Sequence, residues 1–187
     1  MSTNTAVHYD HRTDGTGRGL RFVPAPPTSE LRSTVVDTPI GDIVLIGTND
    51  VIVELDLPGD GRIRHPEGQP PRDDDALADA ATQLTEYFSG TRQSFDLDLA
   101  PKGTEFQIKV WAQLAEIPYG TTATYGEIAA LVGNAKASRA VGMANNRNPI
   151  ALIIPCHRVI GASGKLVGYG GGLPAKEFLL DLERAED

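Results

Sequence analysis

The hydrophobic and polar positions divide the chain near residue 100 into a strand-rich first part and a helix-rich second part. Three short apolar runs between residues 33 and 57, separated by turns rich in Gly, Asn and Asp, predict a β-meander. Helical spacing of apolar residues predicts a helix over 77–88, and alternation over 95–99 predicts a short strand. We therefore expect a small N-terminal α/β domain over residues 33–100.

Beyond residue 100 the apolar positions recur at the spacing of helices. Two capping boxes, Thr104 with Gln107 and Thr124 with Glu127, predict where two of these helices begin. A glycine ends the second helix, and a third helix is predicted over 135–145. Two short helices joined by a tight Gly-containing turn resemble a helix-turn-helix, although any helical hairpin gives a similar pattern.

Apolar, glycine-rich and polar segments connect and flank these helices. The apolar run 150–154 is expected to be buried. Residues 161–172 contain six glycines and predict a mobile loop or wing, followed by a last helix. Residues 1–32, rich in Thr, Gly and Pro, are expected to be a disordered extension. The sequence thus predicts the α+β class: a small N-terminal domain of β-meander plus helix, then a mainly helical, winged helix-turn-helix-like domain over 101–187.

Composition narrows the classes of function. The 187 residues, 40% of them hydrophobic, are enough for one ordinary domain or two small ones. No apolar run is long enough for a membrane span and the N-terminus has no export-signal pattern, so we expect a cytoplasmic protein with no membrane partner. A single cysteine excludes an internal disulfide and a four-cysteine zinc site.

The net charge of −8 argues against nucleic-acid binding until its distribution is considered. Residues 1–100 carry 8 basic and 17 acidic side chains, a net charge of −9. Residues 101–170 carry 7 basic and 3 acidic side chains, a net charge of +4. Any contact with phosphate groups is therefore expected from the second half of the chain.

The stretch Pro155-Cys156-His157-Arg158 holds the candidate chemistry. A thiol attacks as the thiolate, and an unperturbed cysteine pKa of about 8.5 leaves little thiolate at neutral pH. A neighbouring imidazole acting as a base, with the positive field of Arg158, would favour the thiolate. Because adjacency in sequence does not place two side chains in contact, these residues alone leave a purely structural Cys–His pair open.

A series of short motifs follows in order from residue 104 to residue 183. They are Thr104-Glu105-Phe106-Gln107, Val110-Trp111, Ile117-Pro118-Tyr119-Gly120, Thr124-Tyr125-Gly126, Arg139-Ala140-Val141-Gly142, Ala144-Asn145, Asn148-Pro149, Pro155-Cys156-His157-Arg158-Val159-Ile160 and Gly171-Gly172-Leu173, with Lys176 beyond. With this order and these intervals, the chain closely resembles the O6-alkylguanine-DNA alkyltransferases, also called methylated-DNA–protein-cysteine methyltransferases. Residues 33–100 are similar, more weakly, to that family's variable N-terminal domain.

The resemblance implies a role for each matching residue of the reaction. Cys156 matches the alkyl acceptor, His157 the base that acts through a water molecule, and Glu183 the carboxylate that orients this base. Tyr125 matches the residue that displaces the target nucleotide and protonates N3 of the leaving guanine. Asn148 matches a hinge that braces the third helix against the active-site turn.

The resemblance also implies a DNA surface and a guanine pocket. Arg139 matches the finger that fills the gap left by a flipped nucleotide, and the small residues of the third helix suit the minor groove. DNA contacts are expected from Tyr125, Lys136, Ala137, Ser138, Arg139, Gly142 and Asn145, and pocket contacts from Arg158, Val159, Tyr169 and Gly170. Gly170 stands where the family often has Ser or Ala, so a hydroxyl contact to guanine is lost and the range of adducts stays open.

The expected function is repair of double-stranded DNA by one stoichiometric transfer of the alkyl group of O6-alkylguanine to Cys156, with O4-alkylthymine as a further candidate substrate. This chemistry requires no metal and no organic cofactor, and we expect a monomer in solution. Two alternatives are an alkyltransferase-like protein that binds lesions without chemistry, whose members lack the acceptor cysteine, and a Cys–His hydrolase with turnover.

Overall fold

The computed structural model describes residues 19–59 and 68–184, which form a sheet-containing first part and a helical second part. The strands of these ranges are Arg21–Phe22 (β1), Arg32–Val36 (β2), Ile43–Gly47 (β3), Val51–Asp56 (β4), Asp98–Leu99 (β5), Ala123–Thr124 (β6) and Val159–Ile160 (β7). The α-helices are Ala78–Phe88 (α1), Glu105–Ala115 (α2), Tyr125–Leu131 (α3), Ser138–Asn146 (α4) and Gly172–Arg184 (α5). The predicted α+β class is confirmed.

The N-terminal sheet has five strands in the order β1-β5-β4-β3-β2. Strands β2, β3 and β4 pair antiparallel with their neighbours in the chain, so the predicted β-meander is confirmed. The turn between β2 and β3 contains Gly41, whose φ of 103° favours glycine over any residue with a side chain. The short strand β5 then adds in parallel beside β4 and leads the chain into the helical part.

The extension that was expected to be disordered is partly ordered. Strand β1 pairs in parallel with β5, and the Val23 N–H donates to the Leu99 carbonyl at 2.8 Å. Phe22 is only 6% exposed, and burial of its ring stabilises a strand that composition did not reveal. A 3₁₀ helix at Thr28–Glu30 then leads into β2. The remainder of the expected disordered extension, residues 1–18, lies outside the described residues.

Helix α1 packs against the sheet and also reaches the second part of the chain. Its apolar face buries Leu84 and Tyr87 completely. The Tyr87 ring contacts Phe95 near the sheet and Tyr119 in the helical part, with ring centroids 5.4 and 6.1 Å apart. One helix therefore links the core of the first part to that of the second.

The helical part is built around α4, which packs against both α2 and α3. The two predicted capping boxes are present at the starts of α2 and α3. Gly133, with a φ of 87°, lies in the tight turn that joins α3 to α4, as in a helix-turn-helix. The Trp111 indole N–H donates to the Ala144 carbonyl at 2.9 Å and fixes α2 on α4. Within the described ranges, no helix has both the length and the apolar character of a membrane span.

The two parts also meet through main-chain atoms. The Leu55 N–H of β4 donates to the Pro149 carbonyl at 2.8 Å, and Leu55 forms an isolated bridge with Ile150. Ile150 begins the apolar run 150–154, in which every residue is at most 7% exposed, as predicted. The N-terminal sheet therefore supports the segment that leads directly to Cys156.

Candidate active site

Cys156 lies at the start of a short 3₁₀ helix, Cys156–Arg158, directly after the buried apolar run. Its N–H donates to the Ile154 carbonyl at 2.7 Å. Within that run Leu152 has a φ of 76°, and among the described residues no other non-glycine residue has a positive φ. Such a conformation costs about 1 to 3 kcal/mol, and burial of the Leu152 side chain offsets it. The result is a compact turn that directs Cys156 into the protein.

Burial controls the protonation of the Cys156 thiol. The residue is 3% exposed, and burial raises the thiol pKa above its ordinary value. The Asn148 side chain, the main chain of Leu152 and the charge of Lys176 oppose this rise without cancelling it. The thiol therefore keeps its proton at neutral pH and needs a base at the moment of reaction.

His157 is fully buried beside Cys156 and provides a candidate base. Its Nε2 lies 2.8 Å from Oε1 of Glu183. Burial lowers the pKa of His157 despite the opposing effect of Glu183, so the ring is neutral at pH 7. Facing a carboxylate, the neutral ring carries its proton on Nε2. The basic atom is then Nδ1, which is buried and finds no hydrogen-bond partner among the described residues.

The Glu183 carboxylate is the centre of charge in the site. Arg158 donates from Nε to Oε2 and from its terminal nitrogen to Oε1, both at 2.9 Å. The Gly120 N–H donates to Oε2 at 3.2 Å, and the Tyr87 hydroxyl donates to Oε1 at 2.6 Å. Burial alone would raise the pKa of Glu183, but the hydrogen bonds from His157 and Arg158, with the Arg158 charge, hold it well below its usual range. Glu183 is therefore ionised, and both of its carboxylate oxygens accept hydrogen bonds.

The structure places Arg158 differently from the sequence prediction. It was expected to line the guanine pocket, but its guanidinium binds Glu183 and donates to the Ile117 carbonyl at 2.6 Å. A planar, two-pronged donor matches a carboxylate, which explains this orientation. The positive charge that acts on the Cys156 thiol belongs instead to Lys176. Arg158 thus holds the carboxylate that faces His157.

Two asparagines connect α4 with the active-site turn. Asn148 donates from Nδ2 to the Ile154 carbonyl at 2.8 Å, and its Oδ1 accepts from the Ile150 N–H at 3.0 Å. Asn145 was expected to contact DNA, but it is 4% exposed and its Nδ2 lies 3.5 Å from the Cys156 carbonyl oxygen. It belongs to the buried face of α4, because one helical turn places it with Val141.

Tyr169, Val159 and Gly170 were expected to form the guanine pocket. Tyr169 lies near Cys156, and Val159 directly follows the 3₁₀ helix that begins at Cys156. The Tyr169 ring meets His157 edge-on, with centroids 6.3 Å apart. Burial, with the nearby Cys156, raises the pKa of Tyr169, so its hydroxyl stays protonated. That hydroxyl is buried and has no hydrogen-bond partner among the described residues. Val159 is fully buried in β7, whereas Gly170 is half-buried.

Tyr125 packs against α4 and lies near the Cys156 thiol. It is half-buried at the start of α3, and its hydroxyl donates to the Val167 carbonyl at 3.4 Å. Burial and the proximity of Cys156 raise its pKa, so the hydroxyl carries a proton at neutral pH. Gly142 lies against the ring, since a Cβ there would stand 3.7 Å from a Tyr125 ring carbon.

The exposed side of α4 and the residues just before it carry the other expected DNA contacts. Arg139 and Lys136 are exposed, and Ala137 and Ser138 are half-buried. No acidic residue lies in the first turn of α4, so the positive end of the helix dipole is not neutralised there. This surface is thus cationic and lined by small residues.

Three contributors to the site were given no role from the sequence. Tyr87 and Gly120 bind Glu183, and Lys176 donates to the carbonyls of Val159 and Val167 at 2.6 and 2.9 Å. Lys176 follows the last family motif in the sequence, and its position on the apolar stripe of α5 is a signal that could have revealed its buried role. Tyr87 follows the spacing of core residues in α1, so no sequence pattern distinguishes its hydroxyl from that of an ordinary core tyrosine.

Comparison with known proteins connects this arrangement to characterised families. The 6-O-methylguanine DNA methyltransferase, DNA binding domain, matches residues 105–185, and the ribonuclease-like domain of the same protein matches residues 31–101. The methylated-DNA–protein-cysteine methyltransferase of Methanosarcina acetivorans is 54% identical over 150 residues, covering 80% of this chain and 96% of the relative. The Mycobacterium leprae protein of that name is 50% identical over 149 residues, covering 80% and 90%.

Solved structures give the same result. The crystal structure of the Mycobacterium tuberculosis O6-methylguanine methyltransferase matches with a TM-score of 0.77 at 46% identity, over 84% of this chain and 94% of that chain. The OGT of the same organism in complex with DNA matches with a TM-score of 0.76 at 47% identity, over 83% and 92%. Both halves of the sequence match domains of one family, and the fold matches solved structures of the same kind. The chain therefore belongs to the 6-O-methylguanine DNA methyltransferase family.

Proposed function

We propose that this protein repairs double-stranded DNA by moving the alkyl group from O6 of a damaged guanine to Cys156, once per molecule. The observation that carries the assignment is the buried sequence of groups Cys156, His157 and Glu183, in which a neutral imidazole faces an ionised carboxylate. The name of the Methanosarcina acetivorans relative and the DNA complex of the Mycobacterium tuberculosis protein support methylated DNA as the substrate.

The lesion has to leave the duplex to reach the thiol. Cys156 is 3% exposed, so a base stacked within DNA cannot contact it. The small residues and exposed cations of α4 fit the minor groove, where Arg139 would occupy the space of the flipped nucleotide. The flipped guanine would enter beside Tyr169, whose buried hydroxyl has no hydrogen-bond partner within residues 19–59 and 68–184 and so offers a polar contact.

The transfer itself is a displacement at the alkyl carbon. His157 accepts the thiol proton through a water molecule at Nδ1, and Glu183 stabilises the resulting imidazolium. The thiolate sulfur then forms a bond to the methyl carbon while the carbon–O6 bond breaks and its electron pair stays with guanine. Tyr125 donates a proton to N3 of guanine, solvent exchange moves that proton to N1, and the proton held by His157 returns to the tyrosine through solvent. The net products are unmodified guanine and a thioether at Cys156.

The proposed function predicts a strict stoichiometry. His157 and Glu183 can move a proton but cannot break a carbon–sulfur bond, so each protein should repair at most one lesion. With excess duplex containing O6-methylguanine, repaired product should plateau at or below one equivalent of protein. Intact-mass and peptide mass spectrometry should show one added methyl group on the Cys156 peptide.

A matched variant and a clear opposite result make this test decisive. Cys156→Ala should bind the methylated duplex as the wild type does and transfer nothing, because Lys136 and Arg139 are exposed whereas Cys156 is buried. Product that accumulates steadily beyond one equivalent, with Cys156 unmodified, would establish a Cys–His hydrolase.

Since the substrate is DNA, we also propose that the protein acts in the cytoplasm, in contact with the nucleoid if the cell is prokaryotic.

A further inference from the structure

The catalytic carboxylate is held by a side chain from the other domain. Tyr87 belongs to α1 of the N-terminal part, is fully buried, and donates from its hydroxyl to Oε1 of Glu183 at 2.6 Å. Oε1 is also the oxygen that faces Nε2 of His157 at 2.8 Å. The same carboxylate oxygen therefore receives one hydrogen bond from the base and one from the N-terminal domain.

The Tyr87 hydroxyl can act only as a donor in this position. Burial and the negative charge of Glu183 raise its pKa far above the ordinary value, so the hydroxyl is never ionised near neutral pH. A hydrogen bond to an ionised carboxylate is shorter and about twice as strong as one between neutral groups. The bond therefore draws negative charge on Oε1 toward Tyr87 and away from His157.

Charged and titratable groups surround the hydrogen bond between Tyr87 and Glu183. Arg158 of the 3₁₀ helix is the cation that binds Glu183, and Lys176 of α5 is a second cation that acts on His157. Tyr119 lies beside Tyr87. Tyr169 lies near both the Cys156 thiol and Glu183. Removing only the Tyr87 hydroxyl deletes none of these groups.

We propose that Tyr87 is a positioning residue for alkyl transfer, which shares Oε1 of Glu183 with His157 and thereby sets the basicity of the catalytic imidazole. The proposal rests on the proposed function, in which His157 takes the proton of Cys156. Without the tyrosine donor, Oε1 holds more negative charge and stabilises the imidazolium more strongly. His157 would then become protonated at a higher pH, where it can no longer accept the thiol proton.

The test compares two Tyr→Phe variants of the full chain. Tyr87→Phe removes the donor to Glu183 and keeps the ring in its aromatic cluster. Tyr119→Phe is the matched control, because its hydroxyl lies in the same aromatic cluster and donates to the Leu182 carbonyl at 3.4 Å. Single-turnover rates of methyl transfer from an O6-methylguanine duplex are measured across a range of pH, with the melting temperature of each variant.

The midpoint at which the rate falls on the acid side should move to higher pH in Tyr87→Phe, by about half a pH unit or more. It should stay at the wild-type value in Tyr119→Phe. Replacement of Tyr87 by 3-fluorotyrosine, a stronger donor with the same ring, should move the midpoint to lower pH. This third protein keeps the Tyr87 hydroxyl that donates to Glu183 and so serves even if Tyr87→Phe folds poorly.

The opposite results are distinct. Unchanged midpoints in Tyr87→Phe and in the fluorotyrosine protein, with only the melting temperature altered, would show that Tyr87 serves folding and would overturn the proposal. Equal shifts in both Tyr→Phe variants would do the same. A wild-type protein that transfers no methyl group would overturn the proposed function itself.

Discussion

The polar side chains of the site are buried where desolvation is costly, and each cost is offset by a specific partner. Glu183, His157 and Lys176 are each at most 4% exposed. Glu183 accepts from three other side chains and one main-chain N–H, and Lys176 donates to two carbonyls. Loss of one partner leaves another charge buried without compensation, which is more damaging than loss of an exposed ion pair.

At this scale, Glu183→Gln should lower both stability and transfer. The buried Arg158 guanidinium would lose its anionic partner, at a cost of about 3 kcal/mol in the free energy of unfolding at pH 7. The imidazolium of His157 would lose its stabilising charge, so the single-turnover rate should fall about 100-fold or more. Chemical denaturation and rapid-quench kinetics measure the two effects.

The pH dependence of this stability follows from the depressed pKa of Glu183. A carboxylate whose folded pKa lies below the ordinary value of 4.5 contributes its full stabilisation above that value and loses it as the pH falls toward the folded pKa. The stability difference between wild type and Glu183→Gln should therefore shrink below pH 4.5. Glu177→Gln, an exposed position on the same helix, is the control and should match the wild type throughout. An undiminished difference in acid would show that Glu183 is not held ionised by its partners.

At the scale of elements, local sequence signals predicted most helices and strands. Capping boxes at Thr104 and Thr124 and the glycine after α3 mark the ends of helices through contacts within a few residues. The local sequence is therefore sufficient to predict these helix ends. Strand β1 was missed because it has two residues and depends on pairing with β5, far away in the chain. The inward orientation of Asn145 was missed for the same reason, since its partner is the main chain of Cys156.

In the candidate site, too, contacts between residues distant in the chain were harder to predict than local ones. The pattern Cys156-His157 alone left a structural pair open, and the family resemblance, rather than any local rule, indicated Glu183 26 residues later. Tyr87, 96 residues from Glu183, could not be recognised as its partner because only the docking of the two domains brings them together.

The exposed side of α4 gives a prediction for the helix as an element. Arg139→Ala should weaken binding to duplex and slow repair in duplex by about 10-fold or more, but change the reaction with free O6-methylguanine much less. The reason is that a stack has to be refilled only in DNA. Transfer rates on the two substrates provide the measurement.

Arg184→Ala is a suitable control for this prediction, because Arg184 is also an exposed helical arginine and lies on α5, outside the proposed DNA surface. It should leave both reactions unchanged. Equal losses on duplex and free base in Arg139→Ala would instead assign Arg139 to folding or to the pocket.

At the scale of the whole molecule, charge is separated along the chain. Residues 1–100 carry a net charge of −9 and residues 101–170 a net charge of +4. DNA is therefore attracted to one part of the protein and repelled by the other, which favours a single docking orientation.

This separation predicts modest DNA affinity with a shallow salt dependence. Few phosphates can be neutralised, so the logarithm of the binding constant should fall against the logarithm of salt concentration with a slope of about −2 to −4. Fluorescence anisotropy of labelled duplex at several salt concentrations measures it, with Cys156→Ala used to exclude reaction. Affinity that does not change with salt would contradict binding through phosphate contacts.

The main-chain hydrogen bond from Leu55 to Pro149 has a consequence for evolution. Carbonyl and N–H groups are the same in nearly every residue, so this part of the domain junction can persist while the side chains around it diverge. The N-terminal domain is thereby permitted to drift in sequence without releasing the segment that carries the nucleophile. The hydrogen bond from the Tyr87 hydroxyl to Glu183 depends instead on one particular side chain. A recombinant that joins the first domain of one relative to the second domain of another would keep the main-chain contact between the domains. It would lose the bond to Glu183 wherever the tyrosine is absent.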